Sequence, residues 1–268
     1  MYTPAKPPQP STPGNRVGSI VADIFLEECG SDGPRIVIPR PELHLAVRFQ
    51  SSTSRELDIH VLGSRQRVIR KTVRSGQWTI LARLQLAHAR AVLGVPPFTV
   101  DRYVVPLDQV WGVPEAQKLH DRLLGAASPT DAAQILEQAI VAKISPDNVC
   151  QRHSALVVEA AKRLLGASVS TVALDLGMSE RHLRRVFLET TGTSPKTFAR
   201  LMRFSRATDL ARESHRASWA DIAVAAGYYD QAHLIEDFHA FAGATPETFL
   251  RELCNTSIPK RAGSAPRS

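Results

Sequence analysis

The chain has 268 residues, 43% hydrophobic and 22% charged, which suits one large domain or two of ordinary size with real cores. Its formal charge of +7 favours an anionic partner, and no apolar run approaches the roughly 20 residues of a membrane-spanning helix. The cysteines Cys29, Cys150 and Cys254 are odd in number and far apart; this argues against a disulfide framework or a CxxC-type metal site and suits a reduced, cytoplasmic protein.

Residues 1–15 are proline-rich, carry no apolar signal-peptide segment and read as a disordered lead-in. From about Arg35 to Leu84 the pattern is strand-like. Leu43, Leu45, Val47 and Phe49 alternate with His44, Ala46 and Arg48, as do Leu57, Ile59 and Val61 with their neighbours. After Leu86 the signal turns helical, with breaks at Gly94-Val-Pro-Pro97 and Trp111-Gly112. Ala133, Leu136, Ile140 and Ile144 fall at three- and four-residue steps, predicting an amphipathic helix over 130–144. Ser145-Pro-Asp-Asn148 breaks the chain, and 145–152 read as a linker. Everything from His153 to Leu253 is patterned as helix and short turn, ahead of a basic flexible tail at 255–268. The predicted fold is therefore α+β: a β-rich region with trailing helices over 16–144, then an all-α domain over 153–254.

The all-α stretch contains an internal repeat. Ser168 stands nine residues before Gly177, as Ser218 does before Gly227, with Val172-Ala173 matched by Ile222-Ala223. Each serine suits a helix N-cap, with Thr171 or Asp221 at the third position, the latter resembling a capping box. Each glycine suits the left-handed conformation that ends a helix. Leu183 and Phe187 recur as Leu234 and Phe238, and Gly192-Thr-Ser-Pro-Lys-Thr-Phe-Ala-Arg200 recurs as Gly243-Ala-Thr-Pro-Glu-Thr-Phe-Leu-Arg251. Helix, glycine turn, helix is the layout of a helix-turn-helix, whose second helix enters the DNA major groove. A duplicated generic helical bundle is the plainer alternative; two matched copies, each followed by the same Gly-x-[Ser/Thr]-Pro-x-x-Phe-x-Arg signature, weigh against it.

On these motifs residues 153–253 resemble the C-terminal domain of the AraC/XylS family of bacterial transcription regulators. Residues about 16–144 resemble, more weakly, a sensor-type N-terminal domain found in a subset of those regulators. That likeness rests on Ala91-Val-Leu-Gly-Val-Pro-Pro97 and Asp101-Arg-Tyr-Val-Val-Pro-Leu-Asp-Gln-Val-Trp-Gly112. The resemblance implies two helix-turn-helix units joined by a linker helix, and double-stranded DNA as the principal partner. It further implies an N-terminal domain that senses a small-molecule effector, forms a homodimer, or does both; RNA polymerase is the other expected partner, whether transcription rises or falls, and the lack of a long apolar run argues against a membrane.

In the first unit Ser179 is placed to cap the recognition helix. With Leu183, Val186 and Phe187 inward, Arg181, Arg184 and Arg185 share the opposite face at i, i+3 and i+4. Three guanidiniums on one face suit guanine O6 and N7 edges or flanking phosphates, and the resemblance implies base contacts at the same positions. His182 either touches phosphate or packs beside the turn. In the second unit Gln231, Ala232, His233 and Glu236 point outward, and Gln231 and His233 are the candidate readers. Glu236 can accept from cytosine N4 but repels phosphate. Residues 152–216 carry 12 basic and 6 acidic side chains against 1 and 6 over 217–254, so the first unit is expected to dominate. Between the units, Ser194-Pro195 opens a helix running to about Glu213, along which Lys196, Arg200, Arg203 and Arg206 are candidates to line phosphates.

In the N-terminal half, Arg65, Arg67, Arg70, Lys71 and Arg74 form a run of five bases without an acid, for which a solvated strand face is the simpler reading and an anionic effector the alternative. His44 and His60 lack the His-x-His spacing of a metal-binding barrel, and Trp78 and Trp111 read as packing anchors. The competing functions are a ligand-processing or DNA-alkyl-accepting enzyme fused to a DNA-binding domain, or an architectural DNA binder without sequence preference. An enzyme of either kind needs a metal cluster or a reactive cysteine, and Cys29 has no Cys or His partner at ligand spacing. No catalytic residue, metal or cofactor is therefore expected.

Overall fold

The computed structural model describes residues 20–29, 32–49, 56–100, 104–144, 148–213 and 217–256. The lead-in at 1–15, Asp101 to Tyr103 of the sensor-type signature, 145–147 of the expected linker and most of the tail lie outside the described residues.

The described residues hold seven strands, six of them ahead of the first helix: β1 (Val21–Glu28), β2 (Gly33–Val37), β3 (His44–Phe49), β4 (Leu57–Leu62), β5 (Ile69–Val73), β6 (Trp78–Leu84) and, later in the chain, β7 (Val105–Pro106). Five form one antiparallel sheet in the order β1-β6-β3-β4-β7, while β2 and β5 pair as a separate two-stranded ribbon. Alternation works as the pattern requires: Ile80, Ala82 and Leu84 of β6 are buried while Leu81 and Arg83 between them are only half-buried. The sheet core also takes in Leu45, Val47 and Val61.

The sheet opens at Val21, ahead of Arg35, where the alternation in the sequence places its start. The register of β1 on β6 slips between Val21 and Asp23, and that irregularity breaks the period-two signal in Val-Ala-Asp-Ile-Phe-Leu.

The helices are α1 (Ala89–Leu93), α2 (Asp108–Trp111), α3 (Val113–Leu124), α4 (Pro129–Ala142), α5 (Asn148–Arg163), α6 (Val169–Asp175), α7 (Glu180–Thr191), α8 (Pro195–Glu213), α9 (Trp219–Ala226), α10 (Gln231–Ala242) and α11 (Pro246–Asn255). The expected linker is helical from Asn148 onward, because α5 starts there rather than at His153. Ser128 caps α4 by accepting from the Asp131 amide at 3.1 Å, and Ala133, Leu136 and Ile140 pack on their own sheet core rather than facing outward. Trp111 anchors the helical edge of that core, donating Nε1 to the Val92 carbonyl at 2.9 Å under the Lys143 ammonium.

The helical half holds two further cores. One gathers Val157, Leu164, Val172, Leu183, Val186, Phe187 and Phe198 around α5–α7. The other gathers Phe204, Ile222, Leu234, Phe238, Phe241 and Phe249 around α8–α11. Each is braced by a different piece of the N-terminal half. At the first, Ser154 Oγ donates to the Ala87 carbonyl at 2.5 Å, and Arg90 lies 3.8 Å from Glu189 on α7. Ile36, Ile38 and Val68, in and beside the β2–β5 ribbon, pack on the second.

Candidate nucleic-acid interface

The two copies of the repeat fold alike. Ser168 caps α6 and Ser218 caps α9, the latter with the full capping box to Asp221. The turns pass through Gly177 at φ +66° and Gly227 at φ +90°, a region that disfavours any side chain. Ser179 then accepts from the His182 amide at 3.2 Å to open α7, and Asp230 from the His233 amide at 2.8 Å to open α10.

On α7 the inner stripe is Leu183, Val186 and Phe187, all inaccessible to solvent. Arg181, Arg184 and Arg185 are exposed together on the far side, the face on which the sequence places them. Arg184 pairs with Glu180 one turn back, and Arg185 Nη2 lies 3.3 Å from Nδ1 of the half-buried His182. Both partners are local and exposed or half-exposed, so the guanidiniums can exchange them for phosphate or base edges at little cost.

On α10 the stripe at i, i+3, i+4 and i+7 is Leu234, Asp237, Phe238 and Phe241. Gln231, Ala232 and Glu236 face out, while His233 is half-buried with its ring edge-on to Tyr228 at 5.5 Å. The outer surface of this helix thus holds one carboxylate and one amide and no cation at the four positions named above.

The connecting helix α8 is 19 residues long and opens as expected, with Ser194 accepting from the Thr197 amide at 3.1 Å. Its four candidate phosphate contacts divide. Lys196 and Arg206 are exposed. Arg200 and Arg203 are not part of that row. Arg200 turns inward onto Asp237, with Nη2 and Nε at 2.7 and 2.8 Å from Oδ1, and covers the Phe241 ring. Arg203 lies over Tyr228, 5.4 Å from the ring centre. Burial first, then the Asp237 charge, pushes the Tyr228 hydroxyl pKa above its ordinary value. The reason is Asp237 itself, only 1% exposed: a buried carboxylate demands a cation, and α8 is the nearest source. The signal was readable, since an acid occupied the i+3 place of an otherwise apolar stripe.

Sequence reasoning also missed Tyr229, 92% exposed in the second turn, and the paired apolar residues Leu174 and Val224, 79% and 71% exposed at matching positions of α6 and α9. Among the described residues no group of three or more His, Cys, Asp or Glu is placed to hold a metal ion. No helix among them is long and apolar enough to cross a membrane.

A family model described as a helix-turn-helix domain, of the AraC type, matches residues 172–252, from within α6 into α11. The C-terminal region is an AraC-type helix-turn-helix domain. This is the DNA-binding domain of the AraC family of transcription regulators. The match takes in both glycine turns and both second helices of the repeat. No curated protein sequence matches the chain. Among solved structures, the crystal structure of ToxT from Vibrio cholerae O395 is similar at 11% identity and a TM-score of 0.41, over 87% of this chain and 98% of that one. ToxT in its P21 crystal form is similar at 10% identity and 0.39, over 85% and 97%. The unsaturated-fatty-acid-bound ToxT from strain SCE256 is similar at 10% and 0.39, over 88% and 96%.

Proposed function

We propose that the chain is a sequence-specific transcription regulator that lays α7 and α10 into successive major grooves of duplex DNA, with α7 supplying most of the affinity. The observation that carries this reading is the exposed row Arg181, Arg184 and Arg185 over a fully buried inner stripe. Such a row presents bidentate donors to guanine edges while the rest of the helix stays committed to the core. The 19 residues of α8 extend roughly 28 Å at about 1.5 Å per residue, close to the roughly 34 Å of one DNA turn. Lys196 and Arg206 then serve as phosphate contacts, and Gln231 with His233 as the weaker readers on α10. Glu236 limits what the second unit adds, because it repels the backbone on either side of the groove.

In this reading residues 153–254 are the DNA-binding domain. Residues 16–144 modulate it as a sensor or dimerisation domain, with RNA polymerase as the further partner at the promoter. Support for a modulating role comes from the two separate braces between the halves, one on each helix-turn-helix unit. The test is hydroxyl-radical footprinting of the full chain on sites selected from a random duplex library. Two protected tracts on one face, about 10 base pairs apart, are expected. A single tract, or no enrichment of any sequence over random duplex, overturns the reading.

A further inference from the structure

The β2–β5 ribbon has two faces with opposite chemistry. In its register Ile36 stands opposite Arg70, and Arg35 stands opposite Lys71. The first pair faces the helical half. Ile36 packs on the second helix-turn-helix core, while Arg70 donates to the Ala242 carbonyl at 3.0 Å and reaches Glu252 at 2.8 Å. Val68, just before β5, donates its amide to the Phe241 carbonyl at 2.8 Å. The ribbon therefore supplies donors to two of the last carbonyls of α10, groups that a helix leaves without partners of its own.

The second pair faces a cavity of about 210 Å³ between the ribbon and the main sheet. Four cations line it, Arg35, Arg48, Lys71 and Arg74, against the single carboxylate of Glu27. Among the described residues only Arg35 of the four has a carboxylate partner, which is Glu27. Like charges directly opposed across a strand pair are destabilising, and here Arg35 and Lys71 occupy just such a pair. Lys71 keeps an exposed surface, yet partial burial, and then Arg48, Arg65 and Arg35, bring its pKa down to about 8. It still carries a proton at neutral pH. The run of five bases is thus not one solvated face: alternation sends Arg70 to the helical half and Lys71 to the cavity.

We propose that this cavity is a binding site for a small dianion, a phosphate monoester or a dicarboxylate, and that the ribbon transmits its occupancy to α10. An anion between Arg35 and Lys71 converts the repulsive pair into a bridged one, and Arg48 and Arg74 supply further charge-assisted donors. With liquid water taking about 30 Å³ per molecule, the space admits a dianionic head and a short carbon stem, not a long acyl chain. Because Arg35 and Lys71 alternate with Ile36 and Arg70 along the same two short strands, a shift of one face moves the other.

The site stands on its own geometry; its effect on DNA rests on the proposal that α10 contacts DNA. Binding is therefore measured on DNA-free full-length protein, by calorimetry with inorganic phosphate, with succinate, and with chloride at matched ionic strength. Saturable binding of phosphate or succinate is expected, weakened at least tenfold in both Lys71→Gln and Arg48→Gln; which dianion binds more tightly distinguishes the two ligand sources. A second readout guards against misfolding: without ligand, Lys71→Gln melts at a higher temperature than wild type, and saturating dianion closes or reverses the gap. Neither dianion binding beyond the chloride control, or binding unchanged in both variants, overturns the site. For the coupling, the bound dianion is expected to shift operator affinity at least threefold in wild type and not in Arg70→Ala. Dianion binding with unchanged operator affinity in wild type overturns the coupling alone.

Discussion

Replacing Arg200 by methionine separates a structural arginine from a phosphate contact. In the structure its guanidinium makes two short bonds to Oδ1 of Asp237, a carboxylate 1% exposed, from a side chain itself 34% exposed. Removing one partner of a buried pair costs about 3–5 kcal/mol. Here the lower end applies, because Arg200 is partly in water and its own desolvation is incomplete. A loss of about 3 kcal/mol lowers the melting temperature by roughly 6–12 °C in a chain of this size. Replacing both residues, Arg200→Met with Asp237→Leu, removes the orphaned charge and is expected to restore most of that loss. The assay is thermal or urea unfolding of the three proteins, with operator binding measured across salt concentration. A phosphate contact contributes about 0.9 to the salt slope; the structural role predicts an unchanged slope in the refolded double variant. Arg200→Met with wild-type stability and a shallower slope would refute the reasoning.

Two further perturbations test the frame around the interface. Gly192 ends α7 at φ +78°, and a Cβ there would meet Pro97 at 3.0 Å, whereas a Cβ at Gly177, φ +66°, meets nothing within 4 Å. Both alanine variants incur backbone strain of about 1–2 kcal/mol, and Gly192→Ala is expected to lose more in urea unfolding because it also pushes against the N-terminal half; equal losses would contradict that contact. His44 has its pKa lowered from 6.5 to about 3 by burial first and then by Arg65, Arg83 and Arg40. The unfolded chain takes up that proton first, so the contribution is intact above pH 6.5 and fades as pH falls toward 3. Urea midpoints between pH 7 and 4 are expected to fall less steeply in His44→Gln than in wild type; parallel profiles would count against it.

The helical half was legible because its punctuation is local. Ser168, Ser179, Ser218 and Asp230 each cap within three residues, and Gly177 and Gly227 turn the chain where the repeat places them. The exposed row on α7 followed from periodicity alone once Leu183 and Phe187 were assigned inward. What sequence did not disclose depends on partners far along the chain. Arg200 and Arg203 have the spacing of a surface row, but Asp237, 37 residues from Arg200, draws the first inward. Likewise β1 pairs with β6 and β2 with β5, joining residues 32 to 63 positions apart, from Val37 with Ile69 to Val21 with Leu84. No local pattern shows which base of a strand faces which neighbour until such a register is set. The cationic cavity was therefore invisible as a cavity, though each of its bases was in plain view.

The inequality of the two recognition helices is the central claim, and it rests on Arg181, Arg184 and Arg185 facing solvent together while α10 offers Gln231, Glu236 and a half-buried His233. Losing a bidentate arginine–guanine contact costs about 1–3 kcal/mol, a 5- to 150-fold loss of affinity. Its direct test is a side-by-side titration of Arg185→Ala and His233→Ala in the full chain, on one operator at one fixed salt concentration. Arg185→Ala is expected to weaken binding within that range and to relax preference at one base position, with His233→Ala costing less. A silent Arg185→Ala, or a larger loss from His233→Ala, would contradict the account and make the second unit the main reader.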